Sequence, residues 1–254
     1  MLVPHVVLGA RRALLAATSV LLAAGCRSGG DASPRKPKPT EVTTHAGIEF
    51  LEVYTNDAGE EAPIVVGIHG RGDSPSGYSG LFHGYSGRVH FVFPRATAPF
   101  HQGYSWFEFR EGMTDAEFGA AVGSAMDGLH EGLKEITRGR RYVVTGFSQG
   151  GILSYALAAR HAGELACAIP VAGSLPGPLL PPPKQRAAPT FALHGADDTL
   201  IATRWGRATV DAFKREGGEA ELREYPGVGH QITQDMRKDL HARLDACLAR
   251  LGSK

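Results

Sequence analysis

The chain has 254 residues, of which 43% are hydrophobic, and its 27 basic and 26 acidic side chains leave it almost uncharged. This length fits one large domain that can bury a core of ordinary size. The charge balance excludes a dedicated nucleic-acid-binding protein and a polybasic membrane-surface protein. The three cysteines are too few and too scattered for a zinc ribbon or a disulfide-dense scaffold. The composition is typical of a globular enzyme.

The N-terminal 25 residues have the pattern of an export signal. Arg11 and Arg12 precede an apolar run of 12 residues, Ala13 to Ala24, which is shorter than the roughly 20 residues needed to span a bilayer. Basic residues, a short apolar run and small residues before a cleavage point are the parts of a secretory signal. The end of the run, Leu-Ala-Ala-Gly-Cys26, resembles the lipobox of bacterial lipoproteins. That resemblance implies cleavage before Cys26 and lipidation of this residue. The alternative is an ordinary secretory signal with a chance cysteine.

The next segment, residues 26–42, is predicted to be a lipid-anchored flexible tether. It is rich in Pro, Gly, Ser and Lys and almost devoid of large apolar residues, so it cannot bury enough surface to offset the entropy of ordering. Residues 43–254 are predicted to form the catalytic domain. The expected location is the bacterial cell envelope. Arg27, where aspartate would retain a lipoprotein at the inner membrane, favours the outer membrane or cell surface.

From about residue 43 onward, short β-rich runs alternate with helix-like runs. The predicted strands are Ile48–Tyr54, Ile64–His69, Val89–Phe93, Tyr142–Phe147, Ala166–Val171, Thr190–His194 and Glu219–Tyr225. The predicted helices are Asp115–Thr137, Gly151–His161, Thr203–Glu216 and Gln231–Leu251. Several strands are continuous apolar runs, as expected of central strands covered on both faces. The alternation predicts an α/β fold with a mostly parallel central sheet and helices on both faces, whose reactive loops lie at the carboxyl ends of the strands.

The first candidate catalytic residue is Ser148, in the sequence Gly-Phe-Ser-Gln-Gly-Gly at residues 146–151. This G-x-S-x-G pattern follows one predicted strand and precedes a predicted helix, the context in which the motif forms a nucleophile elbow. The start of the helix presents free N–H groups toward a developing negative charge. We therefore predict that Ser148 is a nucleophile.

A serine nucleophile needs a base and an orienting acid, which in this topology follow it in the order acid, then histidine. His230 follows the last predicted strand, and an Asp197-Asp198 pair follows the strand before it. The order and position favour a catalytic His230 over a solvated loop histidine. The two aspartates compete for the acid role, since either could instead cap the next helix.

Five segments together resemble the phospholipase/carboxylesterase family of α/β-hydrolases, which includes acyl-protein thioesterases. They are His-Gly-Arg-Gly-Asp at 69–73, the stretch 93–109 with its Trp-Phe-Glu-Phe, Gly-Phe-Ser-Gln-Gly-Gly at 146–151, His-Gly-Ala-Asp-Asp-Thr-Leu-Ile at 194–201 and Gly-Val-Gly-His at 227–230. The resemblance covers nearly all of residues 64–251. It implies an α/β-hydrolase fold without a large lid, needing no cofactor.

The resemblance also implies roles for individual residues. Asp198 occupies the family's catalytic position in the histidine–glycine–x–x–aspartate pattern. The oxyanion hole would be formed by the backbone N–H groups of Gln149 and Arg71, although the family usually has leucine at the latter position. Trp106 and Phe107 match a segment that helps line the substrate pocket, but they could equally be plain core.

The resemblance implies a serine carboxylesterase that acts through an acyl-serine intermediate. Hydrolysis of feruloyl or polymer esters or of lysophospholipids is an alternative, and an inactive hydrolase scaffold in the envelope is the non-enzymatic one. No metal site is expected, because no H-E-x-x-H is present and His83, His90 and His101 lack ligand spacing with nearby acids. Cys167 and Cys247 could pair in an oxidising compartment. The sequence leaves that pairing and the oligomeric state open.

Overall fold

The computed structural model describes residues 40–252. The predicted signal peptide, Cys26 and nearly all of the predicted tether lie outside the described residues. The described chain has ten strands, β1 to β10: Glu41–His45, Ile48–Tyr54, Ile64–Ile68, His90–Pro94, Ala98–Phe100, Gly103–Ser105, Tyr142–Phe147, Leu165–Val171, Thr190–Gly195 and Ala220–Tyr225. Its five α-helices, α1 to α5, are Pro75–Ser79, Asp115–Thr137, Gln149–Arg160, Thr203–Arg215 and Gln234–Gly252.

Eight of the strands form one sheet in the order β1-β2-β4-β3-β7-β8-β9-β10. The pairs β1–β2 and β2–β4 are antiparallel, and every other pair in this sheet is parallel. The remaining strands, β5 and β6, form a small antiparallel hairpin. The structure therefore has the α/β-hydrolase architecture that the sequence predicted, with the carboxyl ends of β3, β7, β8, β9 and β10 at one edge.

The sheet has a hydrophobic core on each face. Strand β3 is buried at every position, and its alternate residues belong to different cores: Ile64 and Val66 to one, Val65 to the other. This alternation follows from the two-residue period of a strand. The first core is completed by residues of α2, α3 and α4, and the second by residues of α1 and α5. The continuous apolar runs in the sequence therefore correspond to strands covered on both faces.

Helix α2 begins and ends where its sequence indicates. The Thr114 hydroxyl accepts a hydrogen bond from the N–H of Glu117 at 3.2 Å, and the Glu117 carboxylate accepts one from the N–H of Thr114 at 2.8 Å. These two bonds form a capping box, which satisfies donors that would otherwise lack a partner at a helix start. The helix ends at Arg138, whose φ of 52° is left-handed, just before Gly139.

The predicted boundary between tether and catalytic domain is corrected by β1. The tether was expected to extend to residue 42, but Glu41 and Val42 already pair with Glu52 and Leu51 of β2. The alternation of half-buried and exposed residues in β1 shows why it was missed. Backbone pairing to β2 holds this edge strand in place, and no apolar run marks it in the sequence.

A disulfide joins Cys167 of β8 to Cys247 of α5, with 5.8 Å between their Cα atoms. Both cysteines are fully buried. The bond crosses 80 residues of sequence, so it ties the last helix to the middle of the sheet. It answers the question of pairing that the sequence left open. Among residues 40–252, no helix is both long enough and apolar enough to cross a bilayer.

Candidate active site

Ser148 lies at the sharp turn between β7 and α3. Its backbone has φ 56° and ψ −117°, a strained conformation that projects the side chain away from the sheet. Two glycines allow the turn to be this tight: a Cβ on Gly146 would lie 2.3 Å from the carbonyl oxygen of Gly150, and one on Gly150 would lie 2.0 Å from that of Ile68. The glycines of the G-x-S-x-G pattern are therefore required by close approach of backbone to backbone.

His230 connects the serine to a carboxylate. Its Nε2 lies 2.8 Å from the Ser148 hydroxyl oxygen, and its Nδ1 lies 2.7 Å from Oδ2 of Asp198. The three residues follow β7, β10 and β9, whose carboxyl ends meet at one edge of the sheet. The structure thus brings together the three side chains that the sequence nominated, although 82 residues separate Ser148 from His230.

Of the two adjacent aspartates, only Asp198 contacts His230. Its other oxygen, Oδ1, accepts hydrogen bonds of 2.9 Å from the N–H groups of Leu200 and Ile201. Burial by itself raises the pKa of Asp198, but the hydrogen bonds from His230 and the two N–H groups outweigh it and lower the pKa below its ordinary value. Asp198 is therefore ionised at neutral pH. Asp197 is exposed, so Asp198 is the aspartate that lies next to His230.

Two buried histidines hold the surrounding loops. His194 donates from Nε2 to the carbonyl oxygen of Ile201 at 2.8 Å, and the same nitrogen lies 3.3 Å from Oδ2 of Asp198. His69 accepts from the N–H of Ala96 at 3.2 Å. Burial lowers the pKa of both histidines, so both rings are neutral at pH 7. Both histidines are packing residues, and His194 also positions the loop that carries Asp198, a role that the sequence did not reveal.

The loop after β3 lies against the nucleophile. A Cβ on Gly70 would be 3.4 Å from Cβ of Ser148. Gln149 is the first residue of α3, so its N–H has no acceptor within the helix. Arg71 follows Gly70, and its exposed guanidinium lies 4.0 Å from the centre of the Phe100 ring. Both predicted oxyanion donors therefore lie on segments that adjoin Ser148.

The hairpin β5–β6 fixes this loop. The N–H of Gly72 donates to the carbonyl oxygen of Tyr104 at 2.8 Å, and the N–H of Tyr104 donates to that of Asp73 at 3.0 Å. The indole N–H of Trp106 donates to the carbonyl oxygen of His69 at 2.9 Å. The loop is thus held by backbone and side-chain bonds before any substrate arrives, as preorganised stabilisation of charge requires.

The side chain of Gln149 has a structural task that the sequence did not reveal. Its amide donates to the carbonyl oxygen of Phe107 at 2.8 Å and accepts from the N–H of Trp106 at 2.9 Å. Trp106 and Phe107 are each only 7% exposed and belong to the first core. The structure shows that both aromatic residues pack in the core, and their role in lining the substrate pocket stays a prediction. They stabilise the wall of the site from behind.

An apolar groove at the same edge of the sheet was not predicted. It has a volume of about 430 Å³ and lies between the segment after Phe107, the loop after β8 and the start of α4. Its lining includes Phe109, Phe118, Leu175 and Trp205. The side chains of Phe109 and Trp205 are 53% and 49% exposed, so apolar surface faces solvent here. The loop after β8 also packs on α3, because a Cβ on Gly173 would lie 2.7 Å from the backbone of Gly151.

This arrangement can perform acyl transfer. A neutral imidazole can remove the serine proton as the oxygen attacks a carbonyl carbon, and an ionised carboxylate stabilises the imidazolium that forms. Backbone N–H groups beside the serine can stabilise the oxyanion. Among residues 40–252, one group of side chains has the spacing of metal ligands, and it contains none of these residues.

Comparison with known proteins identifies the family. The phospholipase/carboxylesterase family model matches residues 51–248. Acyl-protein thioesterase 1 of Mycosarcoma maydis is 27% identical over 211 residues, which cover 70% of this chain and 88% of the relative. Carboxylesterase SOBER1 of Arabidopsis thaliana is 27% identical over 142 residues, 51% of this chain and 61% of the relative.

A solved structure shows the same fold. The crystal structure of the Bacillus cereus carboxylesterase superposes with a TM-score of 0.66 at 16% identity, covering 78% of this chain and 94% of that one. The sequence relatives are named esterases and thioesterases, and the family model supports a serine hydrolase that acts on ester bonds. The chain belongs to the phospholipase/carboxylesterase family of α/β-hydrolases.

Proposed function

We propose that the chain is a serine carboxylesterase in which Ser148, His230 and Asp198 form the catalytic triad. The observation that carries the proposal is the continuous hydrogen-bonded path from the Ser148 hydroxyl through both nitrogens of His230 to the buried Asp198. His230 takes the serine proton as Ser148 attacks the ester carbonyl, then returns it to the departing alcohol. Water, activated by the same imidazole, hydrolyses the acyl-serine and regenerates the enzyme.

Gln149 and Arg71 supply the oxyanion hole through their backbone N–H groups. A change of side chain at Arg71 leaves its N–H in place, so the family's usual leucine and this arginine can serve the same role. The hydrogen bonds between the loop and the β5–β6 hairpin hold the segment that carries Arg71, and Gln149 directly follows Ser148 as the first residue of α3. Removal of one such donor costs roughly 10²–10³ in turnover in other hydrolases.

The acyl part of the substrate is proposed to lie in the apolar groove. The groove is lined by the loop after β8 and by the start of α4, the helix that follows the Asp198 loop, and aromatic and aliphatic side chains dominate its lining. Burial of acyl methylene groups there stabilises the complex by about 0.8 kcal/mol per group. A short-to-medium-chain ester is the proposed substrate, ahead of feruloyl, polymer or lysophospholipid esters.

The proposed location is the bacterial cell envelope, with a lipid anchor at Cys26. The support is the lipobox-like sequence before Cys26 together with the buried disulfide, since disulfides persist in oxidising compartments. Expression of the full chain with Cys26→Ser tests the anchor. The substituted protein is expected to leave the membrane fraction, and equal membrane retention of the two forms would contradict it.

Hydrolysis of p-nitrophenyl esters from C2 to C12 by the full chain tests the activity. We expect a pre-steady-state burst equal to the enzyme concentration, an optimum of chain length, and loss of both in Ser148→Ala. Trp205→Ala is expected to shift the optimum without abolishing the burst, because it alters only the groove. If the folded protein hydrolyses neither these esters nor the esters of aromatic and polymeric acids, the esterase proposal fails. An inactive scaffold is then the remaining interpretation.

A further inference from the structure

Two histidines and a glutamate meet at the edge of the sheet opposite Ser148. His130 lies on α2, His161 ends α3, and Glu164 immediately precedes β8. One nitrogen of each imidazole and one carboxylate oxygen all lie within 4.8 Å of one another. Helix α3 has 12 residues and is therefore about 18 Å long, which separates this cluster from the nucleophile. Nothing in the ester chemistry requires these three side chains.

Glu164 contacts both imidazoles. Nε2 of His130 lies 3.0 Å from both oxygens of Glu164, and Nδ1 of His161 lies 3.7 Å from Oε1 of the same carboxylate. The two imidazole rings stack with their centres 3.5 Å apart. His130 is nearly buried, whereas the Glu164 side chain is 42% exposed. The cluster is thus held by the core on one side and open to solvent on the other.

His161 is the incompletely satisfied member. Its Nε2 is buried and has no hydrogen-bond partner among the described residues, and the 3.7 Å from Nδ1 to Glu164 exceeds hydrogen-bond range. A buried polar atom without a partner is costly. A neutral imidazole has a lone pair on one of its two nitrogens, and in His161 one nitrogen lacks a hydrogen-bond partner among the described residues. A ligand that accepts this lone pair would complete the cluster.

We propose that His130, His161 and Glu164 form a binding site for a divalent transition-metal ion, with Zn²⁺ as the best fit. Two imidazoles and one carboxylate are a common zinc ligand set, and imidazole disfavours Mg²⁺ and Ca²⁺. Ligand atoms around tetrahedral zinc are about 3.3 Å apart at bond lengths near 2.0–2.1 Å. The two imidazole–carboxylate separations, 3.0 and 3.7 Å, lie on either side of this value. The two stacked imidazoles would turn apart to direct both lone pairs at one ion. Water would occupy the fourth position on the solvent side.

The role assigned to the ion is to fasten α2 to the connection between α3 and β8. An ion that binds only the folded chain stabilises it by mass action. Because the site is distant from Ser148, zinc is expected to raise thermal stability while ester turnover at saturating substrate stays the same. This separation distinguishes the site from a catalytic metal centre.

The test uses the full chain stripped with a chelator and titrated with Zn²⁺ in competition with a chromophoric chelator. We expect one equivalent to bind and the melting temperature to rise by roughly 5–10 °C when free zinc exceeds Kd a hundredfold. Glu164→Gln and His161→Gln are each expected to weaken binding at least a hundredfold. Glu164→Gln changes a side chain at the surface, so its folding is not in question. His83→Gln, at an exposed histidine, is the matched control and should bind as the parent does.

Zinc could also bind at the catalytic histidine, and His230→Ala separates the two sites. The proposal predicts that His230→Ala keeps the stoichiometric equivalent and that Glu164→Gln loses it. Absence of a stoichiometric equivalent in the parent chain would overturn the proposal. So would binding that survives Glu164→Gln and His161→Gln but is lost in His230→Ala.

Discussion

Helix α3 has an imidazole–carboxylate cluster at each end. At its N-terminal end the side chain of Asp198 is fully buried. One of its oxygens accepts hydrogen bonds from two backbone N–H groups, and the other contacts His230 and His194. At its C-terminal end Glu164 is half-exposed and shares its oxygens between two imidazoles. The first carboxylate is therefore fixed in one orientation, and the second is free to adjust.

The partner of each imidazole differs as well. His230 contacts the Ser148 hydroxyl, which has a proton to give, so the first cluster can move a proton along a line. His161 offers a lone pair and faces no hydroxyl donor in the described residues. The comparison teaches that the same pair of residue types can serve proton transfer or cation binding, and that the third group decides which.

The largest effect is expected from substitution of Asp198, the carboxylate that orients His230. Asp198→Asn should lower kcat/KM for a p-nitrophenyl ester by about 10⁴, because an amide neither stabilises the imidazolium nor selects the required tautomer. Asp197→Asn, at the exposed neighbour, should stay within about threefold of the parent. Equal losses in the two variants would show that the wrong aspartate has been assigned.

Removal of the disulfide is expected to lower stability strongly without changing catalysis. Replacing both Cys167 and Cys247 by alanine should lower the free energy of unfolding by about 2–4 kcal/mol, since an 80-residue loop is no longer closed in the unfolded chain. Urea denaturation measures this change. Ester turnover by the folded variant should match the parent, and unchanged stability would contradict the role assigned to the bond.

The side chain of Gln149 supports the active-site end from behind. Gln149→Ala keeps the backbone N–H but removes one of the two donors to the carbonyl oxygen of Phe107, the other being the Ser105 hydroxyl, and leaves the N–H of Trp106 without its acceptor. The free energy of unfolding should fall by about 1–3 kcal/mol, and kcat should fall more than KM rises. Gln231→Ala, at an exposed position, is the control. Loss of activity without loss of stability would mean that the side chain acts on the substrate directly.

The smallest expected effect concerns a third imidazole–carboxylate pair, Glu52 and His90. The two groups are buried and 2.6 Å apart. Burial raises the pKa of Glu52, but the hydrogen bonds from His90 and Thr43 lower it to a net value below the ordinary one. A depressed carboxyl pKa contributes stability that is present above the unfolded pKa of about 4.3 and is lost as pH falls through the lower, folded value.

Substitution of Glu52 tests the direction of this pKa shift. Glu52→Gln should be less stable than the parent at pH 7, by about 1 kcal/mol, and the difference should shrink as pH falls below about 4. Thermal melts of the two proteins from pH 7 to pH 3 measure it. A difference that grows in acid would contradict the assigned direction.

The predictability of the fold varied with the length and pattern of each element. The bounds of β2, β7 and α2 agree with the sequence prediction residue for residue, because apolar runs or a capping box mark them. The hairpin β5–β6 has strands of three residues and α1 has five residues, too short for any periodicity to show. These elements depend on tertiary contacts, as the pairing of Gly72 and Asp73 with Tyr104 illustrates.

The site was predictable where a motif is local. Ser148 lies in a recognisable pattern, and chain order pointed to His230 and to the Asp197–Asp198 pair. The family resemblance then favoured Asp198. The role of the Gln149 side chain depends on residues more than 40 positions away, which a local pattern does not reveal. The cluster of His130, His161 and Glu164 was missed for the same reason, although the three-residue spacing of His161 and Glu164 was visible. The histidines that were rejected as ligands on their spacing, His83, His90 and His101, are not part of it.

Covalent labelling tests the central claim that His230 activates Ser148. The full chain is treated with a fluorophosphonate, and intact mass and peptide mapping locate the adduct. We predict one adduct per chain, on Ser148, forming at least a hundredfold more slowly in His230→Ala. A folded protein that remains unlabelled, or that is labelled on another serine such as Ser174, would contradict the account.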